Sequence, residues 1–209
     1  MKRLAAMLAA AALSLAGCVS VSVGSADVPA MTYYVLADAR PAPAAPPAAN
    51  AKARIAIQGV GADPLADSLP IAYARRAGER AFYQFASWTE RPSLRLALLA
   101  QQKLEARGRF ATVTQLGQPV DSDWLLILAL ETLVHDVSGT PGRAQLGLRA
   151  ELIHRRDRSR VAQRTFTAAP PVDEAAARAA VAAFAVATAD VLDPLAEWVE
   201  ATVAAHTRP

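Results

Sequence analysis

Two segments with a two-residue hydrophobic period constrain the fold more than any other feature of the sequence. From Trp124 to Val134, apolar side chains occupy even and odd positions over the first half, which is typical of a central strand covered on both faces. From Gln145 to His154 they fall on alternate positions, which is typical of a strand with one face in the core. An amphipathic helix would repeat its apolar residues every three or four positions, so both segments predict strands of a β-sheet.

Two helices and several shorter strands complete the predicted fold. The first helix runs from about Ser93 to Arg107. The second begins at a predicted N-cap, Asp173, and ends at about Ala205. Pro194 lies inside it and is expected to kink or break it. The order of elements predicts an α+β fold, a mixed or antiparallel β-sheet with two main helices packed on it (an α/β sandwich). Further strands are predicted at 33–36, 55–60, 71–75, 81–88, 110–114 and 161–167.

The composition excludes several classes of protein. The chain has 209 residues, one cysteine, three histidines and a formal net charge of +3. One cysteine excludes an internal disulfide and a thiolate-rich zinc site. The small net charge does not indicate a nucleic-acid partner. After residue 20 there is no uncharged apolar run of ~18 residues, so no later transmembrane helix is predicted.

The start of the chain has the pattern of a lipoprotein signal. Two basic residues precede an apolar run at 4–15, which is typical of a signal peptide. The run ends in Leu15-Ala16-Gly17-Cys18, which resembles the bacterial lipobox. Leu15, Ala16 and Gly17 would be the peptidase recognition residues. Cys18 would carry a diacylglyceryl group and, after cleavage, an N-acyl chain, and several acyl chains give lasting membrane attachment.

The alternative is an ordinary secretory signal in which Cys18 occurs by chance. Under the lipobox interpretation, Val19 matters as well, because lipoproteins of the enteric type use Asp at this position for inner-membrane retention. Val19 therefore favours the outer membrane, on its periplasmic face.

The sequence predicts one folded domain behind a tether. Within that domain a segment rich in Pro and Ala, residues 37–53, is expected to be an extended, semi-rigid linker rather than a packed element. The predicted parts are a signal peptide at 1–17, a lipidated N-terminus and tether at 18–32, the domain at 33–205 and a tail at 206–209.

The sequence holds no motif for catalysis or metal binding. The histidines are far apart, and the zinc-protease, nucleophile-elbow and phosphate-loop patterns are missing. Asp121 and Asp123 could act as an acid/base pair, but their position in a loop before a strand favours a turn. No catalytic residue, metal site or cofactor is therefore predicted, apart from the covalent lipid on Cys18.

Two arginine-rich turns and two tryptophans leave alternatives open. Each turn is either a solubilising surface or a contact for anionic lipid headgroups. Trp124 is expected in the core, whereas Trp88 fits a core or an interface role equally well. The turns contain Arg75, Arg76 and Arg80 in one case and Arg155, Arg156, Arg158 and Arg160 in the other.

Taken in order, these features resemble the ABC-type transport auxiliary lipoprotein family, which includes PqiC-type lipoproteins. Besides the lipobox, the resemblance lies in the early Tyr33-Tyr34-Val35-Leu36 strand, the segment from Asp67 to Tyr73, Trp88 followed by Pro92, and Asp123-Trp124 opening a long strand. It covers roughly residues 18–200. The loop at 61–67 departs from the commoner family pattern.

The resemblance implies a non-enzymatic role in lipid transport across the envelope. Members of the family accompany an ATPase, a permease and an MCE-domain protein, and some relatives form ring-like oligomers. Tyr73 and Trp88 are then the candidate surface for a partner or for self-association. The alternative function is an accessory lipoprotein of envelope biogenesis or secretion with no tie to an ABC transporter.

Overall fold

The structure is a computed structural model that describes residues 29–43, 45–49 and 51–207. The described part of the chain forms one nine-stranded sheet and two helices. In chain order the elements are β1 (Thr32–Tyr34), β2 (Arg54–Gly61), β3 (Pro70–Ala74), β4 (Ala81–Trp88), α1 (Pro92–Ala106), β5 (Thr112–Gln115), β6 (Trp124–Asp136), β7 (Gly142–His154), β8 (Ser159–Ala168), β9 (Pro171–Val172) and α2 (Ala177–Thr207).

The thirteen-residue strand β6 organises the sheet. Along one edge it pairs antiparallel with β7 over almost its whole length. Along the other edge it pairs parallel with β2 as far as Leu130 and then with β3 at His135 and Asp136. The sheet therefore divides at β6, with β2 and β5 beside its first half and β3, β4 and β1 beside its end.

Both helices cover one face of the sheet. The inward side chains of β6 (Leu126, Leu128, Leu130) and of β7 (Leu146, Leu148, Leu152) are fully buried in a single main core. The helix α1 packs on β2 and β5, and α2 packs on β7 and β8. Gly59 in β2 is required for this packing, because a Cβ atom there would collide with the carbonyl oxygen of Ser93 at the start of α1.

The predicted α+β fold is confirmed, with three differences in detail. The helix α2 begins at Ala177, so Asp173 is not its N-cap, and Pro194 does not break it. The outer face of β6 is not fully covered, since Leu125 and Ile127 are only half-buried where no helix packs. The short strand β9 pairs with β7 and was missed, because two residues are too few to produce a period.

Asp67 closes the N-terminal end of α1. The residue before the helix provides no side-chain cap. Instead the buried carboxylate of Asp67 accepts a hydrogen bond of 2.8 Å from the backbone N–H of Ser93 and lies 3.5 Å from the guanidinium of Arg91. Asp67 therefore caps the N-terminus of α1 from a loop that is distant in sequence, and it links that loop to the helix.

A buried ion-pair cluster around Lys103 joins the segment after β1 to both helices. The Lys103 ammonium donates to Asp38 at 2.7 Å, to Asp193 at 2.6 Å and to the carbonyl oxygen of Arg40 at 2.8 Å. Arg40 in turn pairs with Asp190 and Asp193 on α2. Three acceptors satisfy all three ammonium donors, which is the condition for burying this charge.

The Lys103 cluster corrects the prediction for the start of the Pro/Ala segment. The side chains of Lys103 and Asp38 are each 5% exposed, and Leu36 is in the core. The predicted linker began at residue 37, and the expectation that it is unpacked is wrong at Asp38 and Arg40, whose side chains pair with the helices, whereas Ala37 and Ala39 are exposed. Composition alone indicated an extended segment and could not show that Asp38 and Arg40 have partners on α1 and α2.

Replacement of Lys103 by Met tests the cluster. Lys103→Met leaves Asp38 buried without its counter-ion, so we expect the free energy of unfolding to fall by about 3 kcal/mol. Lys52→Met, at an exposed lysine, is the matched control and should change it by less than about 0.5 kcal/mol. Urea denaturation measures both. Equal losses in the two variants would contradict the assignment.

Candidate functional site

The residues predicted for lipid attachment, Leu15 to Cys18, lie outside the described residues. The remaining candidates, Tyr73 and Trp88, belong to β3 and β4. The structure places them in different surroundings, so each is considered separately.

Tyr73 belongs to a group of three rings at the end of β6, called here the Tyr–His cluster. Tyr73 stands opposite His135 of β6, and its ring lies 4.9 Å from that of Tyr83. The Tyr83 hydroxyl lies 2.7 Å from Nδ1 of His135. The guanidinium of Arg75 is 5.0 Å from the centre of the Tyr73 ring, which is within cation–π range.

Burial sets the protonation of this cluster. It raises the pKa of Tyr83 to about 12, with a smaller contribution from Tyr73, so the phenol keeps its proton and can donate it to His135 Nδ1. Burial also lowers the pKa of His135, and the neutral ring then carries its own proton on Nε2. In the described residues that buried nitrogen has no hydrogen-bond partner.

The described contacts of the Tyr–His cluster are ring packing between Tyr73 and Tyr83 and the hydrogen bond between Tyr83 and His135. A catalytic histidine needs an orienting group and a nucleophile or substrate within hydrogen-bond reach. His135 contacts Tyr83 on one side, and its other nitrogen lies 3.1 Å from the position that a Cβ atom on Gly142 would take. An open cavity of about 350 Å³ lies beside Tyr73, lined also by Arg75, Phe82, Tyr83, Gln84, Val137 and Ala175.

Trp88 is a core residue, so the surface role predicted for it is wrong. Its side chain is 3% exposed and packs edge-on against Phe184 of α2, with the ring centres 5.9 Å apart. The sequence left core and interface equally open because Trp88 stands at an element boundary. The deciding contact comes from a helix almost a hundred residues further along the chain.

The opposite end of the sheet carries a polar cleft of about 570 Å³. The Trp124 ring is buried there between His154, 5.0 Å away, and His206, 6.1 Å away. Asp123 pairs with Arg54 at 2.8 Å, and this hydrogen bond lowers the pKa of the Asp123 carboxyl. Asp123 is therefore held as a carboxylate by its ion pair with Arg54 on β2.

Two further features bear on function. Within residues 29–43, 45–49 and 51–207, no three His, Cys, Asp or Glu side chains come together as metal ligands. The helix α2 is long and apolar enough to cross a membrane, but half of its most apolar stretch is buried in the domain. Its packing on β7 and β8 identifies it as a core helix.

The chain matches a known family over most of the described residues. The profile of the family described as ABC-type transport auxiliary lipoprotein component matches residues 34–196. No curated protein matches the chain significantly.

Solved structures share the fold. Protein XCC0632 from Xanthomonas campestris, described under the family name DUF330, is 26% identical with a TM-score of 0.75, over 85% of this chain and 99% of that one. An uncharacterized protein is 14% identical with a TM-score of 0.63, over 82% and 99%. A PelC dodecamer from Paraburkholderia phytofirmans is 18% identical with a TM-score of 0.43, over 71% and 92%, which is too remote to support a conclusion.

The buried His135 predicts how stability depends on pH. Because its folded-state pKa lies below the unfolded value of 6.5, the unfolded chain binds the proton first. The contribution of His135 to the free energy of unfolding is complete above pH 6.5 and is lost as the pH falls from 6.5 towards the folded-state pKa. We expect His135→Gln to reduce the fall in melting temperature across this range.

His206→Gln is the control, because His206 is exposed. It should keep the pH dependence of the parent protein in the same thermal denaturation series. An unchanged slope in His135→Gln would show that this ring does not cause it.

Proposed function

Because the chain belongs to the ABC-type transport auxiliary lipoprotein family, we propose that it is a non-enzymatic, lipid-anchored component of an MCE-type system that transports lipids or other hydrophobic compounds. The family match over residues 34–196 is the observation that carries this proposal. Membership makes the protein an accessory component associated with transport. The MCE partner and the lipid cargo are the proposed refinements.

The site chemistry supports a docking role rather than a reaction. The His135 ring is paired with Tyr83, and Asp123 is paired with Arg54. In the part of the chain that the structure describes, both of these titratable side chains thus belong to structural pairs. The rigid sheet with ordered helices on one face suits a protein that presents fixed surfaces to partners.

The proposed anchor is the acylated Cys18 on the periplasmic face of the outer membrane. The acyl chains would hold the domain at the membrane while it binds the MCE-domain protein, which the permease and ATPase support from the inner membrane. Tyr73 is the candidate contact for that partner or for a second copy, since its half-buried ring borders an open cavity.

Replacement of the lipid-accepting cysteine tests the anchor. We expect Cys18→Ser to accumulate as an unprocessed precursor without acyl label, because the serine hydroxyl does not replace the thiolate nucleophile. Metabolic labelling with palmitate and membrane fractionation measure this. Normal acyl labelling of the variant would refute the lipobox assignment.

Paired substitutions at Tyr73 and Trp88 test the docking role. Tyr73→Ala should reduce the MCE-domain protein that co-purifies with the acylated protein several-fold, with a small change in thermal stability. Trp88→Ala should instead lower the free energy of unfolding by ~3–5 kcal/mol, because it removes a buried aromatic ring. Leu116→Ala, at an exposed apolar residue of the opposite end, is the control and should leave both properties unchanged.

The identity of the co-purifying proteins separates this function from the alternative. An MCE-domain protein, a permease and an ATPase, encoded beside this gene, agree with the proposal. Secretion or cell-wall proteins in their place would contradict it and support an unrelated accessory lipoprotein.

A further inference from the structure

The two arginine-rich turns lie at opposite ends of the sheet. The β3–β4 turn, residues 75–80, follows a strand whose end pairs with Asp136, the last residue of β6. The β7–β8 turn, residues 155–158, follows a strand whose end pairs with Trp124, the first residue of β6. The length of β6 separates the two turns by roughly 40 Å at about 3.3 Å per residue. Only one of them can therefore face a flat membrane.

The direction of β1 favours one of them. It runs parallel to β4, with Thr32 opposite Ala86. Because β4 begins at Ala81, directly after the β3–β4 turn, the chain enters β1 from the side on which this turn lies. Cys18 and Met31 are thirteen residues apart, a segment that spans at most about 45 Å. To bring the β7–β8 turn to the membrane, that segment would have to reverse and run back along the domain.

The β3–β4 turn has the charge for an anionic surface. It holds Arg75, Arg76 and Arg80 against one acidic residue, Glu79. The Arg76 side chain is 83% exposed and lies 3.4 Å from Glu79, a distance that holds it only weakly. Arg75 is positioned by the Tyr73 ring, so its charge is held at the surface by the Tyr–His cluster. Guanidinium groups bind phosphate oxygens in a bidentate geometry.

An exposed aromatic side chain borders the same turn, and further apolar ones lie along the neighbouring sheet edge. Phe82, the second residue of β4, is 39% exposed. Met31 and Tyr33 are exposed on and beside β1, which pairs with the second half of β4, with Tyr33 opposite Ser87. Aromatic and apolar side chains next to basic ones are typical of surfaces that lie at the headgroup level of a bilayer.

Acidic residues also lie at this end: Asp136 ends β6, and Asp173 and Glu174 precede Ala175, which lines the same cavity as Tyr73 and Arg75. The excess of positive charge therefore belongs to the turn at 75–80 itself, where three arginines stand with one glutamate.

We infer that the β3–β4 turn, through Arg75, Arg76 and Arg80, contacts the anionic phospholipid headgroups of the membrane that holds Cys18. This inference rests on the proposed lipid anchor and goes beyond it, because it fixes which end of the domain faces the bilayer. The β7–β8 turn then points away from that membrane.

A single introduced cysteine can report the contact, because Cys18 is the chain's one cysteine and carries the acyl group in the acylated protein. Ala77→Cys places an environment-sensitive fluorophore on the exposed β3–β4 turn, and Arg156→Cys places it on the exposed β7–β8 turn. The acylated full protein is reconstituted on vesicles of equal parts phosphatidylglycerol and phosphatidylcholine. Quenching by aqueous acrylamide is compared with that in detergent.

We expect the Ala77→Cys label to be quenched several-fold less on these vesicles, with the Arg156→Cys label unchanged. Replacement of Arg75, Arg76 and Arg80 by Gln should restore quenching, since each lost arginine weakens an anionic-surface contact by roughly fivefold. Replacement of Arg155, Arg156 and Arg158 by Gln, in the protein labelled at Ala77→Cys, is the matched control and should leave the shielding intact.

The outcomes separate this inference from the proposed function. Acylated protein that stays on the vesicles with an unshielded Ala77→Cys label would overturn the headgroup contact alone. Equal shielding on pure phosphatidylcholine, or shielding that survives the triple Gln substitution, would also overturn it. Absence of acyl label together with release from the vesicles would instead overturn the anchor.

Discussion

The strand β6 is the constraint on which the rest of the structure depends. It is paired along both edges, so its register with β7 and with β2 places every other strand and, through Gly59, the start of α1. A shift of one residue would turn Leu126, Leu128 and Leu130 out of the core. Such a shift is very unfavourable, because the strand has one face buried in the core. Tyr73 and the β3–β4 turn reach their place at the end of the sheet because β3 pairs with the last residues of this strand.

The long elements were predictable because each carries its own period. The helix α1 and the strands β4 and β6 lie within two residues of the sequence-based boundaries. The start of α2 was displaced by four residues, since Asp173 has the side chain of an N-cap but lies just after β9. The local sequence can indicate a residue suited to be an N-cap, whereas the helix begins where packing on the sheet begins.

The site was less predictable, because it depends on contacts between distant parts of the chain. The sequence around Trp88 is compatible with an exposed side chain and with one that packs against Phe184, as it does in the structure. Lys103 had no local partner, and Asp38 lay in a segment whose composition indicated a linker. The hydrogen bond from Tyr83 to His135 joins residues 52 positions apart, and only the topology of β3, β4 and β6 brings them together.

The Lys103 cluster has a mechanical consequence for an anchored protein. Tension applied to the chain before Thr32 pulls β1 along β4, so that the hydrogen bonds of this parallel pair are loaded together in shear rather than peeled apart in turn. The load then reaches Asp38 and Arg40, whose ion pairs connect it to both helices at once. If β1 detaches, a force between the membrane and a bound partner is therefore passed next to both helices rather than to a single further strand.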